Sequence, residues 1–160
     1  MVILGFDQST NKSAFSVLSD GALLRYGLLD RHKEKDVASR IKNMFLDIVG
    51  IIDEVHPDLL VFEAVQQNAS PKTSLMLSQL QGMCIGAGYV KGYEVVSPLP
   101  SEWRAVLKFS QGRSVTRPEL KEQAIQYAFE TFGLRLQEDE AESACIAMSE
   151  WTKRRGAYGG

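Results

Sequence analysis

Cysteine is scarce in this chain, two residues in 160. Cys84 and Cys145 stand in apolar, helix-like stretches without CxxC spacing, which fits reduced core thiols of a cytoplasmic protein and speaks against a disulfide framework. No apolar run approaches the roughly 20 residues of a bilayer span, so no membrane partner is expected. The N-terminus shows no basic region, apolar run and small-residue cleavage site in the order of a signal peptide. Histidine is equally rare, and His32 and His56 read as surface residues. Nor is there an excess of positive charge: 18 Lys and Arg against 20 Asp and Glu leave a net −2, a sum that argues against a nucleic-acid partner. Distribution matters more than the sum. Basic residues gather at 31–42, at 104–121 and in Lys153-Arg154-Arg155.

The remaining composition, 44% hydrophobic and 24% charged, is that of an ordinary soluble domain, and 160 residues suffice for one sizeable core. A single domain over 1–155 with a mobile tail at 156–160 is expected. Residues 2–7, 13–18 and 22–29 read as strands, with Asp20-Gly21 as a hairpin turn between the last two. Apolar residues then recur at helical spacing from 36 to 55, until His56-Pro57 ends the helix. A short apolar strand follows at 58–63. Pro71 can open the next helix, which runs to about 89 with Gly82, Gly86 and Gly88 permitting close packing. YEVVSP at 93–98 makes a fifth strand. SEWRAVL is a short helix, 118–132 a longer one, and 138–154 the last. This order implies an α/β fold, a five-stranded mixed sheet of antiparallel meander plus parallel strands, flanked by helices.

Two of the apolar strands close on acids. On the first, Ile3, Gly5 and Asp7 share a face, and Gly5 leaves space beside Asp7. In isolation Asp7 reads as a turn former. Glu63 repeats the pattern, and a helical crossover places its strand beside the first, so the two acids become neighbours at one sheet edge. In the last helix, Ala141, Ala144, Cys145, Met148 and Trp151 form a narrow apolar stripe, flanked by Asp139 and Glu142 three residues apart. Acids in a first helical turn ordinarily serve the macrodipole; Glu142, bordering the stripe, is less well explained so. Four carboxylates converging without histidine or cysteine suit hard cations such as Mg²⁺ or Mn²⁺, and two such ions about 4 Å apart form the clamp used on phosphodiesters.

The motifs ILGFDQS, PDLLVFEAV, SLMLSQLQG and EDEAESACIA, in that order, resemble the RuvC-type Holliday junction resolvases of the ribonuclease H-like superfamily. The likeness extends from Val2 to about Trp151 and implies the ribonuclease H-like fold. It also implies a metal-dependent structure-selective endonuclease acting on Holliday junctions, with forks, flaps and three-way junctions as further substrates. By that resemblance Asp7, Glu63, Asp139 and Glu142 are the catalytic metal ligands for two Mg²⁺ or Mn²⁺ ions, Asp7 bridging them. DNA contacts fall on Gln66, Arg104 and Lys121.

Three features depart from the family pattern. Glu142 stands where aspartate is usual, Gln66 where bacterial members often carry an aromatic wedge, and the stretch between Arg104 and Lys121 is longer. The chain looks most like a phage-encoded variant, at work in the bacterial host cytoplasm. The two-fold symmetry of a four-way junction implies a homodimer, with the helix over 72–89 as the interface. Setting four metal-bound acids aside leaves 16 acids against 18 basic residues, which weakens the charge objection to DNA. Two other readings compete. GFDQSTNKSAFSV also resembles the phosphate loop of sugar kinases and actin-like ATPases, although those pair two such domains. A resolvase-like module that holds branched DNA without cutting has no need of all four acids.

Overall fold

The computed structural model describes residues 1–66 and 70–158. Five strands form one sheet in the order β3-β2-β1-β4-β5: β1 (Val2–Asp7), β2 (Lys12–Ser19), β3 (Ala22–Asp30), β4 (Leu59–Phe62) and β5 (Glu94–Val96). The first three are an antiparallel meander, and β4 and β5 run parallel to β1. The mixed sheet agrees with the sequence expectation. β1 and β4 are central and covered on both sides, as their near-continuous apolar runs require.

Helices α1 (Val37–Val55) and α2 (Pro71–Val90) cover one face, packing on Leu4, Phe6, Phe15, Leu60 and Phe62. The other face, carrying Ile3, Leu18, Leu59 and Val61, meets α3 (Pro100–Val106), α4 (Arg117–Phe132) and α5 (Glu138–Tyr158). Local chemistry sets the ends of these helices. Asp36 caps α1 through Ser39 N–H, and His56 closes it in the left-handed region. Thr116 and Glu119 form a capping box on α4, with Pro118 just inside the start. His32 and His56 are exposed, and Cys84 and Cys145 are buried free thiols. No helix among the described residues is long and apolar enough to cross a membrane.

Several expectations need correction. α5 extends through Tyr158, so positions 156–158 are its last turn, and 159–160 lie outside the described residues. The apolar face of α5 is no narrow stripe, because residues 143–150 are all buried. With the sheet beneath and α3 and α4 outside, small Ala and Ser side chains let the helix sit inside the fold. On α2 only Gly88 makes a close approach: a Cβ there would lie 2.7 Å from Val95 and 3.0 Å from Leu60, whereas Gly82 and Gly86 face open space.

Candidate active site

The site is assembled where β1 and β4 end beside the start of α5. Phe6 pairs with Phe62 in parallel register, so Asp7 and Glu63 emerge side by side, and Glu63 N–H donates to the Phe6 carbonyl at 3.3 Å. β4 stops at Phe62, which leaves Glu63 just past the strand. The third element arrives because Gly5 has no side chain. A Cβ on Gly5 would meet Ala147 Cβ at 2.8 Å and the Ser143 carbonyl at 2.9 Å. The space beside Asp7 is therefore filled by α5, not kept open as the sequence suggested. A buried hydrogen bond between the hydroxyls of Ser16 and Ser143, 2.6 Å long, joins helix to sheet at the same level.

With α5 seated this closely, its first two turns bring Asp139 and Glu142 over the end of β1. One carboxylate oxygen from each of Asp7, Asp139 and Glu142 lies within 4.8 Å of the others. Glu63 lines the same groove but stands outside that group of three. Its Oε1 accepts the indole N–H of Trp103 at 2.7 Å, and its carbonyl accepts Gln81 Nε2 at 2.6 Å. Gln81 also donates to Gln8 at 3.3 Å. Burial raises Asp7 well above the usual carboxylate range, and the charges of Glu142, Glu63 and Asp139 push it further. Burial likewise raises Glu63, against the pull of the Trp103 N–H, and raises Glu142 against Arg104 and Lys121. A cluster whose members raise one another in this way is short of positive charge. An all-oxygen donor set fits a hard divalent cation.

The groove holding these acids has a volume of about 810 Å³, and Lys12, Arg40, Arg104, Arg117 and Lys121 also line it. The two basic residues anticipated from sequence are paired with the acids. Arg104 Nη2 lies 3.4 Å from Glu142 while its guanidinium covers the Trp103 ring at 4.8 Å. Lys121 bonds Glu138 and stands 3.8 Å from Asp139. Gln66 lies exposed on the groove wall. Sequence reasoning missed Trp103, Gln81, Arg40 and Arg117. Only Trp103 carried a usable signal, because a buried indole N–H needs an acceptor.

Comparison with known proteins agrees with this architecture. The family model described as "Crossover junction endodeoxyribonuclease RuvC" matches residues 3–111, a span that includes Asp7 and Glu63. RuvC of Dictyoglomus turgidum is 28% identical over 105 residues, 62% of this chain and 66% of that protein. RuvC of Prosthecochloris aestuarii is 30% identical over 111 residues, 67% and 59% respectively. The alignments thus span less than two thirds of these two curated relatives. RuvC of an Anaeromyxobacter species is 26% identical over 160 residues, 98% of this chain and 75% of that protein. Among solved structures, T. thermophilus RuvC in complex with a Holliday junction substrate superposes with a TM-score of 0.79 at 15% identity, covering 98% of this chain and 97% of that one. The fowlpox virus resolvase bound to Holliday junction DNA gives 0.68 at 17% identity, covering 96% and 99%. These likenesses establish the ribonuclease H-like fold expected from the sequence. Matched by the family model over well more than half its length, the chain belongs to the RuvC family of crossover junction endodeoxyribonucleases.

Proposed function

We propose that this chain is a metal-dependent endonuclease that cuts phosphodiesters at Holliday junctions and other branched DNA. The observation that carries the reading is the meeting of Asp7, Asp139 and Glu142 within 4.8 Å, from two distant parts of the chain, in a groove rimmed by basic side chains. The name shared by the relatives and the junction DNA in similar complexes supply the substrate class.

Asp7, central and raised well above the usual carboxylate range, would hold two divalent cations together with Glu63, Asp139 and Glu142, and would be the ligand common to both. Two Mg²⁺ or Mn²⁺ ions, when bound, supply Lewis acidity and a water of lowered pKa at the phosphodiester. The chain's own residues bring the substrate there. Arg104, Arg117 and Lys121 offer positive charge to the backbone phosphates, which makes binding salt-sensitive. Gln66 stands where an aromatic would stack, and stacking is worth roughly 1–3 kcal/mol per base. Its loss favours a broad range of branched substrates over strict junction selectivity.

Paired nicks on a two-fold symmetric junction call for two copies of the site. α2, with Leu75, Tyr89 and Val90 exposed and Gly82 and Gly86 open, is the surface proposed to join them. In the loop after β1, Ser9 N–H donates to Ser13 Oγ at 3.0 Å and that hydroxyl returns to the Ser9 carbonyl at 2.7 Å, so these groups are taken up within the loop. This favours the nuclease reading over a phosphate cradle. The test is incubation of labelled four-way junctions, forks and linear duplex with Mg²⁺, Mn²⁺ or chelator. Nicks in branched DNA with either metal and none with chelator are expected; no nick under any condition refutes the proposal.

A further inference from the structure

Trp103 is fully buried on the seven-residue helix α3, which Pro100 opens and Glu102 caps through Leu99 N–H at 2.7 Å. Phe109 packs edge-on against its ring at 5.6 Å, and Tyr127 backs Phe109 at 5.8 Å. The other neighbour is the Arg104 guanidinium. The ring is enclosed on these sides, and its N–H donates to Glu63 Oε1 at 2.7 Å. The indole is a donor only, and a buried donor without an acceptor carries the full cost of lost hydration. Glu63 is held from three elements in all: β1 takes its N–H, α2 its carbonyl, and α3 one carboxylate oxygen.

The consequence concerns which cation the site accepts. Mg²⁺ takes six ligands in near-octahedral geometry and is served by single oxygens, whereas Ca²⁺ takes six to eight and commonly draws both oxygens of a carboxylate. We propose that Trp103 is a positioning residue that restricts Glu63 to one metal-ligating oxygen, Oε2, and thereby selects small octahedral cations over Ca²⁺. The inference rests on the metal-site reading above. It assigns to Trp103 a role in ion choice that packing alone would not give it.

The experiment measures Mg²⁺, Mn²⁺ and Ca²⁺ affinities calorimetrically on the full chain and on Trp103→Phe. In parallel, the indole N–H signals of the ¹⁵N-labelled chain are followed through an Mg²⁺ titration. The chain has two tryptophans, and Trp151→Phe assigns them. In the parent chain the Trp103 N–H signal remains downfield and slow to exchange when Mg²⁺ saturates. In Trp103→Phe the Mg²⁺ to Ca²⁺ affinity ratio falls, by about tenfold where Mg²⁺ affinity alone takes the lower end of the loss that follows removal of a ligand's hydrogen-bond partner. A merely structural role lowers all three affinities together and leaves the ratio unmoved. If Trp103→Phe fails to fold, 3-benzothienylalanine at position 103 keeps the ring's shape and removes only the N–H. An unchanged ratio, or a Trp103 N–H that leaves its bond when Mg²⁺ binds, overturns the proposal while the metal site stands. Failure of the parent chain to bind any of the three ions overturns the metal-site reading and the proposal together.

Discussion

Gly5→Ala adds one methyl group at the contact that seats α5 on the sheet. The new Cβ would lie 2.8 Å from Ala147 Cβ, 2.9 Å from the Ser143 carbonyl oxygen and 3.1 Å from Ala147 N. Unstrained carbon contacts lie near 3.5–4.0 Å, so roughly 0.7 Å or more must be opened. Two of the three atoms are α5 backbone, so the helix itself has to lift. Overpacking of this kind costs about 1–3 kcal/mol. At about 2–4 °C per kcal/mol for a chain of this length, Tm should fall by about 2–12 °C. Lifting α5 also stretches the 2.6 Å Ser16–Ser143 bond and draws Asp139 and Glu142 away from Asp7, so affinity for divalent metal should drop alongside stability. Thermal melts by circular dichroism and Mn²⁺ titration measure the two effects. Ala147→Gly added to Gly5→Ala removes the closest contact but leaves the carbonyl at 2.9 Å. The double-mutant cycle should therefore show a favourable coupling of about 0.5 kcal/mol or more. Glycine-to-alanine changes stabilise by about 0.4–1 kcal/mol where the backbone and space allow. A Gly5→Ala protein as stable as the parent, with undiminished Mn²⁺ affinity, would refute the claim that this glycine seats the helix.

Three further outcomes are expected. Because Asp7, Glu63 and Glu142 are raised, the folded chain binds more protons than the unfolded one just above the ordinary carboxylate range, so stability falls as pH rises there. In chelator, Tm should decline as pH rises above the ordinary carboxylate range, and saturating Mg²⁺ should flatten that slope; a Tm that climbs there in chelator contradicts the electrostatic account. The depressed acids do not interfere, since Asp30, held at about 2 by the backbone and ring of His32, loses its contribution only at lower pH. Ser143→Ala should cost about 0.5–1.5 kcal/mol in urea unfolding and Ser16→Ala less, because Ser143 Oγ keeps its bond to the Glu140 carbonyl at 2.8 Å whereas Ser16 Oγ is left with only a 3.5 Å contact to that carbonyl; the reverse order would show the bond network to be wrong. Burial pushes the Cys84 thiol up to about 12 and Cys145 higher still, so neither should react with a thiol reagent near pH 8 until denaturant is added.

Much of this site was legible because strands and helices project side chains on fixed periods. The alternation of β1 placed Gly5 and Asp7 on one face, the crossover to β4 set Glu63 beside Asp7, and the three-residue spacing put Asp139 and Glu142 on one flank. What was misread depends on partners outside the local pattern. Gly5 announced missing volume, but nothing nearby in sequence said that α5 would fill it. α5 looked amphipathic because Ser143, Ser149 and Glu150 are polar, yet they are buried, with hydroxyls bonded across to Ser16 or back along the helix and Glu150 paired with Lys153. Arg104 and Lys121 were expected to face DNA, and the structure adds their pairing with acids at the site. The hydrogen bond from Trp103 to Glu63 spans 40 residues and leaves no periodic trace.

Under the proposed function, phosphodiester cleavage depends on the carboxylates that meet at the end of β1. Asp7→Asn keeps the side chain's shape while removing the charge that its neighbours oppose most strongly. The decisive measurement compares this variant with the parent chain on a labelled four-way junction, following cleavage in Mg²⁺ or Mn²⁺ and binding by gel shift. Cleavage should disappear while junction binding persists. Cleavage by Asp7→Asn at the parental rate would contradict the proposal.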